Sequence, residues 1–321
     1  VTLAPAFPLN PAFPPAGPTV SCSAVLASTY QRLTTLCESL RVDVVAPGSQ
    51  AAQGWADGTE LAERPEFLDA FLDAEAWRIQ ERHAHPVRRD VAASRALHDY
   101  LWSVCLLMSG PWFLERRVPR IRPRDVRISL TTGAFGIVPG GFACLPDDPA
   151  AGLPGARVRV HEEALRAELR AAVADHVRPL LAAIGPQVRR GARALWGMVG
   201  DDLVSGIWYL GRMLDQEEHA VRAAGELLPG PVPPFPGGAD FRRLTGREGQ
   251  SYLTRTRLGC CLYYAIRPAE ACGTCPRTCD SERLRRLEGD TPPLAGDSAG
   301  VHAGGGAGAV SVPVSVSDPR S

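Results

Sequence analysis

The residues most able to do chemistry lie near the C-terminal end, where Cys260 and Cys261 are adjacent and Cys272 and Cys275 follow ten residues later as a C-x2-C pair. Four thiolates in this pattern form a soft donor set suited to Zn²⁺ or to an iron–sulfur cluster. The Gly273-Thr274 spacer closes a tight turn whose backbone amides can point at sulfur, and the excursion through Pro268 can return the first pair beside the second. Structural zinc usually takes two C-x₂₋₄-C knuckles, and adjacent cysteines make a poor knuckle for one tetrahedral ion. Two irons spread their thiolates over a longer span and tolerate the adjacency better. The first 18 residues hold no basic stretch followed by a continuous apolar run, so a secretory signal is not expected there. The chain therefore reads as resident in a reducing compartment, where clustered cysteines point to metal or redox chemistry.

The segment Cys260-Cys261-Leu262-Tyr263-Tyr264, followed by Cys272-Gly273-Thr274-Cys275-Pro276-Arg277, resembles the C-terminal signature of the siderophore ferric reductases of the FhuF type. The helical stretch from His161 to Trp208 is more loosely similar to the body of that family, and diffusely to part of the aerobactin-type siderophore synthetases. The FhuF resemblance implies a [2Fe-2S] cluster held by Cys260, Cys261, Cys272 and Cys275, and one-electron reduction of a ferric siderophore, hydroxamate type preferred, in the cytoplasm. Hard oxygen ligands hold Fe³⁺ far better than Fe²⁺, so one electron loosens the chelate and no general base is needed. Electrons would come from an external donor such as a ferredoxin, because no G-x-G-x-x-G, P-loop, G-x-S-x-G or H-E-x-x-H motif is present. Candidate chelate-docking residues are Arg257, Tyr263, Tyr264, Arg267 and Arg277 in or beside the loop, with Trp196 and Trp208 on the preceding helices; for both tryptophans a core role is the stronger reading. Two other classes share the cysteines: a zinc-stapled binding module, which would be colourless, and an iron–sulfur sensor, which would not turn over.

The remaining reactive side chains have plainer readings. Cys279 is a bystander, and Cys22, Cys37, Cys105 and Cys144 are small buried hydrophobes. His83 and His85 read as a solvated helix end beside Pro86. The pairs Glu162-Glu163 and Asp201-Asp202 follow expected helix starts at His161 and Gly200, where the macrodipole favours acidic residues.

These residues must be positioned by a mainly α protein with a small β insertion, an α+β class: a helical body plus a C-terminal cysteine-rich loop. The apolar series Leu26, Tyr30, Leu33, Cys37 and Leu40 makes one helical stripe. Helices are expected over Pro65 to Arg82 and Val91 to Met108, the second interrupted at Gly110-Pro111. Alternation at Val126, Ile128 and Leu130, the glycine-bounded run Ala134 to Val138, and Val158 and Val160 between arginines place strands near 119–160. A long helix follows from His161 until Gly185-Pro186 stops it; others are expected over Val188 to Val199 and Asp201 to Ala224. Gly230 to Gly238 reads as a hinge or wrapping loop.

The domain expectation is a Pro-rich arm at 1–18, a helical body at 19–250, the metal-binding segment at 251–288 and a disordered tail at 289–321. Gly and Pro are 32 and 29 of 321 residues, about 19% against a usual ~12%, which fits such appendages. Basic and acidic residues balance at 35 each with a pI near 7.2, so no overall field would hold the chain on nucleic acid or an anionic membrane. Every basic residue other than His is Arg, so an anion site would use guanidinium forks or backbone amides. No apolar run is long enough to span a bilayer, and peripheral proximity to a membrane stays compatible with this reading.

Overall fold

The computed structural model describes residues 21–49, 52–267 and 271–289; the expected arm, the tail beyond 289 and Pro268 lie outside them. Among the described residues are eight α-helices and nine short strands, as the α+β expectation requires.

The N-terminal helix α1 (Cys22–Leu36) begins at Ser21, whose hydroxyl accepts from Ala24 N–H at 3.2 Å, and it buries Leu26, Tyr30 and Leu33. Strands β1 (Val42–Val44) and β2 (Trp55–Asp57) follow. The short α2 (Gly58–Glu63) is entered through a reciprocal capping box between Asp57 and Glu60, which satisfies amide donors that the first helical turn leaves unpaired. Helix α3 (Pro65–His83) opens on a proline, whose missing N–H costs nothing at that position.

At the centre of the fold is α4 (Arg89–Glu115), buried from Val91 through Trp112 apart from Asp99. It does not break at Gly110-Pro111. Pro111 sits in the last turn, where its carbonyl accepts from Arg117 N–H at 3.3 Å. Gly110 lies so close to Leu33 of α1 that an added Cβ would stand 2.8 Å from a leucine methyl. Tertiary packing thus outweighs a local breaker signal.

The β residues assemble as more than one insertion. β4 (Val126–Ser129) and β5 (Phe135–Ile137) join the earlier strands in a sheet of order β1-β5-β4-β2, with β1 parallel to β5 and the other pairs antiparallel. β3 (Val118–Pro119), β6 (Phe142–Cys144) and β7 (Ala156–Val158) form a second sheet.

Helix α5 (Glu162–Val188) starts at His161, whose ring Nδ1 accepts from Ala164 N–H. It runs through Pro179, Gly185 and Pro186, ending at Arg189 in the left-handed region. Next comes α6 (Ala192–Met213), a single helix where two were expected; the break falls later, at Leu214-Asp215, before α7 (Glu217–Leu227). The loop 230–238 follows, and its Phe235 is buried. An antiparallel hairpin that the sequence reading lacked, β8 (Phe241–Thr245) and β9 (Ser251–Arg255), then leads into the cysteine segment. The last described helix is α8 (Asp280–Leu287).

No helix among the described residues is long and apolar enough to cross a membrane. One large core links α1 through α7. A second, small cluster of Ile79, Val91, Cys261, Leu262, Tyr263 and Ile266 seats the cysteine segment on the ends of α3 and α4.

Candidate metal centre

The cysteine segment is held from three sides, and the first is α6. Asp201 and Asp202 lie mid-helix and almost wholly buried, at 1% and 0% exposed, so the helix-start reading fails. Their partners come from beyond β8. Arg255 and Arg257 are two residues apart on the β9 line and so share a side. Arg255 donates to the Asp201 carboxylate at 2.7 Å, and to its backbone carbonyl and Ser205 Oγ at 3.3 and 3.2 Å. Arg257 pairs with Asp202, which also accepts from His98 of α4 at 2.9 Å. Gly259 N–H donates to the second Asp201 oxygen at 2.7 Å, tying the residue before the first cysteine to the helix. Gly259 is obligatory there: a Cβ would meet Met198 at 2.4 Å. Burial pushes the Asp201 carboxyl up despite Arg255 and Arg257, whereas for Asp202 the fields of Arg257 and His98 outweigh burial and hold it down.

The second side is α8. Arg283, 1% exposed, donates to the carbonyls of Gly273 at 3.0 Å, Cys275 at 2.8 Å and Thr278 at 3.3 Å, and to Thr256 Oγ1 at 2.9 Å. One guanidinium therefore shapes the whole C-x2-C turn. The third side is the end of α3. His83 meets Tyr263 edge-on with centroids 6.3 Å apart, and His85 Nε2 lies 3.2 Å from the Ile266 carbonyl. Both histidines are half-buried against the loop rather than solvated.

Held this way, the four thiols come together. Cys260 hydrogen-bonds Cys275, and Cys272 hydrogen-bonds both Cys261 and Cys275. The contacts thus run Cys260–Cys275–Cys272–Cys261. Among the described residues no group of three or more His, Cys, Asp or Glu side chains is arranged to hold a metal ion. Four free thiols form the soft donor set that an iron–sulfur cluster requires. Hydrogen bonds from Cys260 and then Cys272 hold Cys275 down to about 2, against burial, and Arg277 N–H reaches its sulfur at 3.4 Å. Cys261 is also held well down, first by Cys272 and, against burial, by the positive field of Arg95, His98 and Arg257. Cys272 and Cys260, the donors in these bonds, are pushed up.

Cys279 stands apart: it is exposed at the start of α8, with its sulfur 3.2 Å from Ser281 Oγ. Cys22, Cys37, Cys105 and Cys144 are buried in the core. A cavity of about 400 Å³ opens beside the thiols, with Cys261 and Cys272 in its wall. Of the residues expected to dock a chelate, Arg257, Tyr263 and Trp208 line it. Tyr264 and Arg277 stack on one another, with the guanidinium carbon 4.3 Å from the ring centre, and they and exposed Arg267 lie outside the cavity lining. Trp196 is away from the cavity, edge-on to Phe235 at 5.9 Å and beneath Arg178 at 5.3 Å. Sequence reasoning missed Arg95, His98, Trp102, Asp201, Asp202 and Arg283. Only Arg255-x-Arg257, opposite two adjacent acids in an apolar helix, left a legible signal.

Residues 257–277 match the family model described as the FhuF 2Fe-2S C-terminal domain. This segment is thus a 2Fe-2S-binding domain of the FhuF type, and the match spans the segment from Arg257 to Arg277 that carries all four clustered cysteines. No curated protein is similar enough over the chain to count as a relative.

Proposed function

We propose that this protein is a cytoplasmic ferric-siderophore reductase in which Cys260, Cys261, Cys272 and Cys275 hold one [2Fe-2S] cluster. The observation carrying this reading is that the four cysteines of the matched domain are linked in the order Cys260–Cys275–Cys272–Cys261, with Cys261 and Cys272 in the wall of a cavity large enough for a small molecule. Bound, the cluster supplies one electron, which converts the Fe³⁺ of a chelate to Fe²⁺, and an external one-electron donor of the ferredoxin class restores it. The chain's own residues supply the rest. Arg283 and the Asp201–Asp202 pair fix the loop, Arg95 and Arg257 place positive charge beside Cys261, and the cavity gives the chelate access to Cys261 and Cys272. Hydroxamate oxygens hold Fe³⁺ more tightly than Fe²⁺, so release follows the electron.

Anaerobic mixing of the reduced protein with a ferric trihydroxamate and a ferrous trap tests the proposal. One trapped Fe²⁺ per cluster, at a rate rising with chelate concentration, is expected. Reoxidation without trapped Fe²⁺ would make the protein a sensor, and stoichiometric zinc without sulfide would make it a stapled binding module.

A further inference from the structure

The cavity beside Cys261 lies between α4, α6, β9 and the C-x2-C turn. It is too small for a protein surface, and at about 400 Å³ it falls within the ~300–1,000 Å³ usual for small-molecule sites. Its wall has two chemistries. Trp208, Tyr209, Tyr252, Tyr263 and Leu253 supply an apolar and aromatic side. Also in the wall are Arg95, whose guanidinium carbon lies 5.4 Å from the Tyr263 ring centre, His98 and Arg257, whose nearest carboxylates are already engaged: Asp99 with Arg95 at 2.8 Å, Asp202 with both Arg257 and His98, and Asp201 with Arg257.

One lining side chain, Trp102, 5% exposed, leaves a buried N–H at Nε1 without a protein acceptor, while Arg257 Nε makes no hydrogen bond but faces Asp201 at 3.8 Å. A buried donor without an acceptor costs free energy that an occupant bearing oxygen acceptors would return. Glu217, the carboxylate in the lining, is occupied by Trp208 Nε1–H at 2.7 Å. The unmet demand in this cavity is therefore for acceptors beside an apolar wall.

We propose that this cavity binds the oxygen-ligated face of a ferric chelate, with Trp102 Nε1–H donating to an iron-bound oxygen, the positive charge of Arg95 and Arg257 beside it, and the aromatic wall covering the chelate's carbon backbone. Bound there, the iron lies toward Cys261 and Cys272, the two thiols in the wall. This assignment rests on the reductase reading and adds the site, the ligand face and the groups that recognise it.

The test uses the cluster-loaded full chain and the gallium(III) complex of a trihydroxamate, which matches the ferric complex in size and charge but accepts no electron. Calorimetric titration is expected to show one site. Trp102→Phe keeps a ring and removes one donor, and should weaken binding about 3- to 10-fold. Leu253→Glu sets a charged carboxylate in the wall that covers the chelate's carbon backbone and should weaken it at least about 10-fold, while the neutral Leu253→Gln stays within about threefold. Trp102 also borders a second cavity, of about 480 Å³, where Trp77 is in the lining. Trp77→Ala should leave affinity unchanged.

Absence of gallium-chelate binding, or affinity lost in Trp77→Ala and retained in Leu253→Glu, would overturn the site. Trp102→Phe supplies the answer should Leu253→Glu not fold. Failure of the reductase reading looks different: the gallium complex binds with these variant effects, yet the reduced protein yields no Fe²⁺. If Fe²⁺ is released while all variants bind like wild type, the reductase stands and the site falls.

Discussion

Replacing Arg283 by methionine isolates how the fold shapes the C-x2-C turn, because Arg283 lies outside the matched segment and is no metal ligand. Methionine keeps much of the buried stem volume and removes every donor. Three carbonyls lose a charged partner: Cys275, in a buried residue, and Gly273 and Thr278, in half-buried ones. A buried group left unsatisfied costs about 1–3 kcal/mol. Water can reach part of the Gly273 and Thr278 loss, so the expected total is about 2–4 kcal/mol. Much of it should fall on the loop, because α8 touches the body mainly through β8 and this turn. Urea unfolding followed by far-UV circular dichroism measures the first quantity, and the half-life of the visible cluster bands under a chelator measures the second. Arg283→Lys should recover part of both, since an ammonium donates to one or two carbonyls but lacks the planar fork. A loss below about 1 kcal/mol in Arg283→Met with an unchanged cluster half-life would refute the clamp.

Single serine substitutions at Cys260, Cys261, Cys272 and Cys275 should remove or strongly alter the visible and paramagnetic signals of the cluster, whereas Cys279→Ser and Cys37→Ser should leave them intact; cluster loss in Cys279→Ser would show the ligand set to be wrong. Asp202→Asn removes the charge facing Arg257 and should destabilise the protein by about 3–5 kcal/mol, as breaking a buried pair does; denaturant titration checks this, and a change under about 1 kcal/mol would mean that the Arg257–Asp202 pair is not what holds the segment. His176 is buried, its Nδ1–H donating to the Ile121 carbonyl and its Nε2 accepting from Tyr100, and burial lowers its pKa from 6.5 to about 4. Below pH 6.5 the unfolded chain takes up a proton that the folded one refuses, so stability should fall by about 2 kcal/mol between pH 7 and pH 5 on this account. His176→Asn should flatten that part of the pH profile of unfolding, and a slope equal to wild type would assign the loss to other groups.

Local chemistry was legible in the sequence alone. The spacing of Cys260, Cys261, Cys272 and Cys275, the proline opening α3, the His161 start of α5 with Glu162 and Glu163 in its first turn, and the alternation that makes β4 each express an interaction within one or two turns of chain. What needed the tertiary structure depends on partners far along the chain. Asp201 and Asp202 have the local look of a helix start, yet they are mid-helix because Arg255 and Arg257, more than fifty residues later, neutralise them. Gly110-Pro111 looks like a stop, but burial against α1 carries the helix past it. His83 and His85 look like a wet helix end until the cysteine segment folds over them. Arg283 has no sequence signature, since any arginine after the last cysteine reads alike until its carbonyl partners are in place. The cysteine pattern narrows the metal chemistry to zinc or an iron–sulfur cluster, because ligand type and spacing are covalent properties of the chain, and the family match over residues 257–277 selects the cluster. The cavity that would admit a chelate exists only once α4, α6, β9 and the C-x2-C turn meet, because its walls come from segments whose contact is decided by burial and ion pairing across the whole fold.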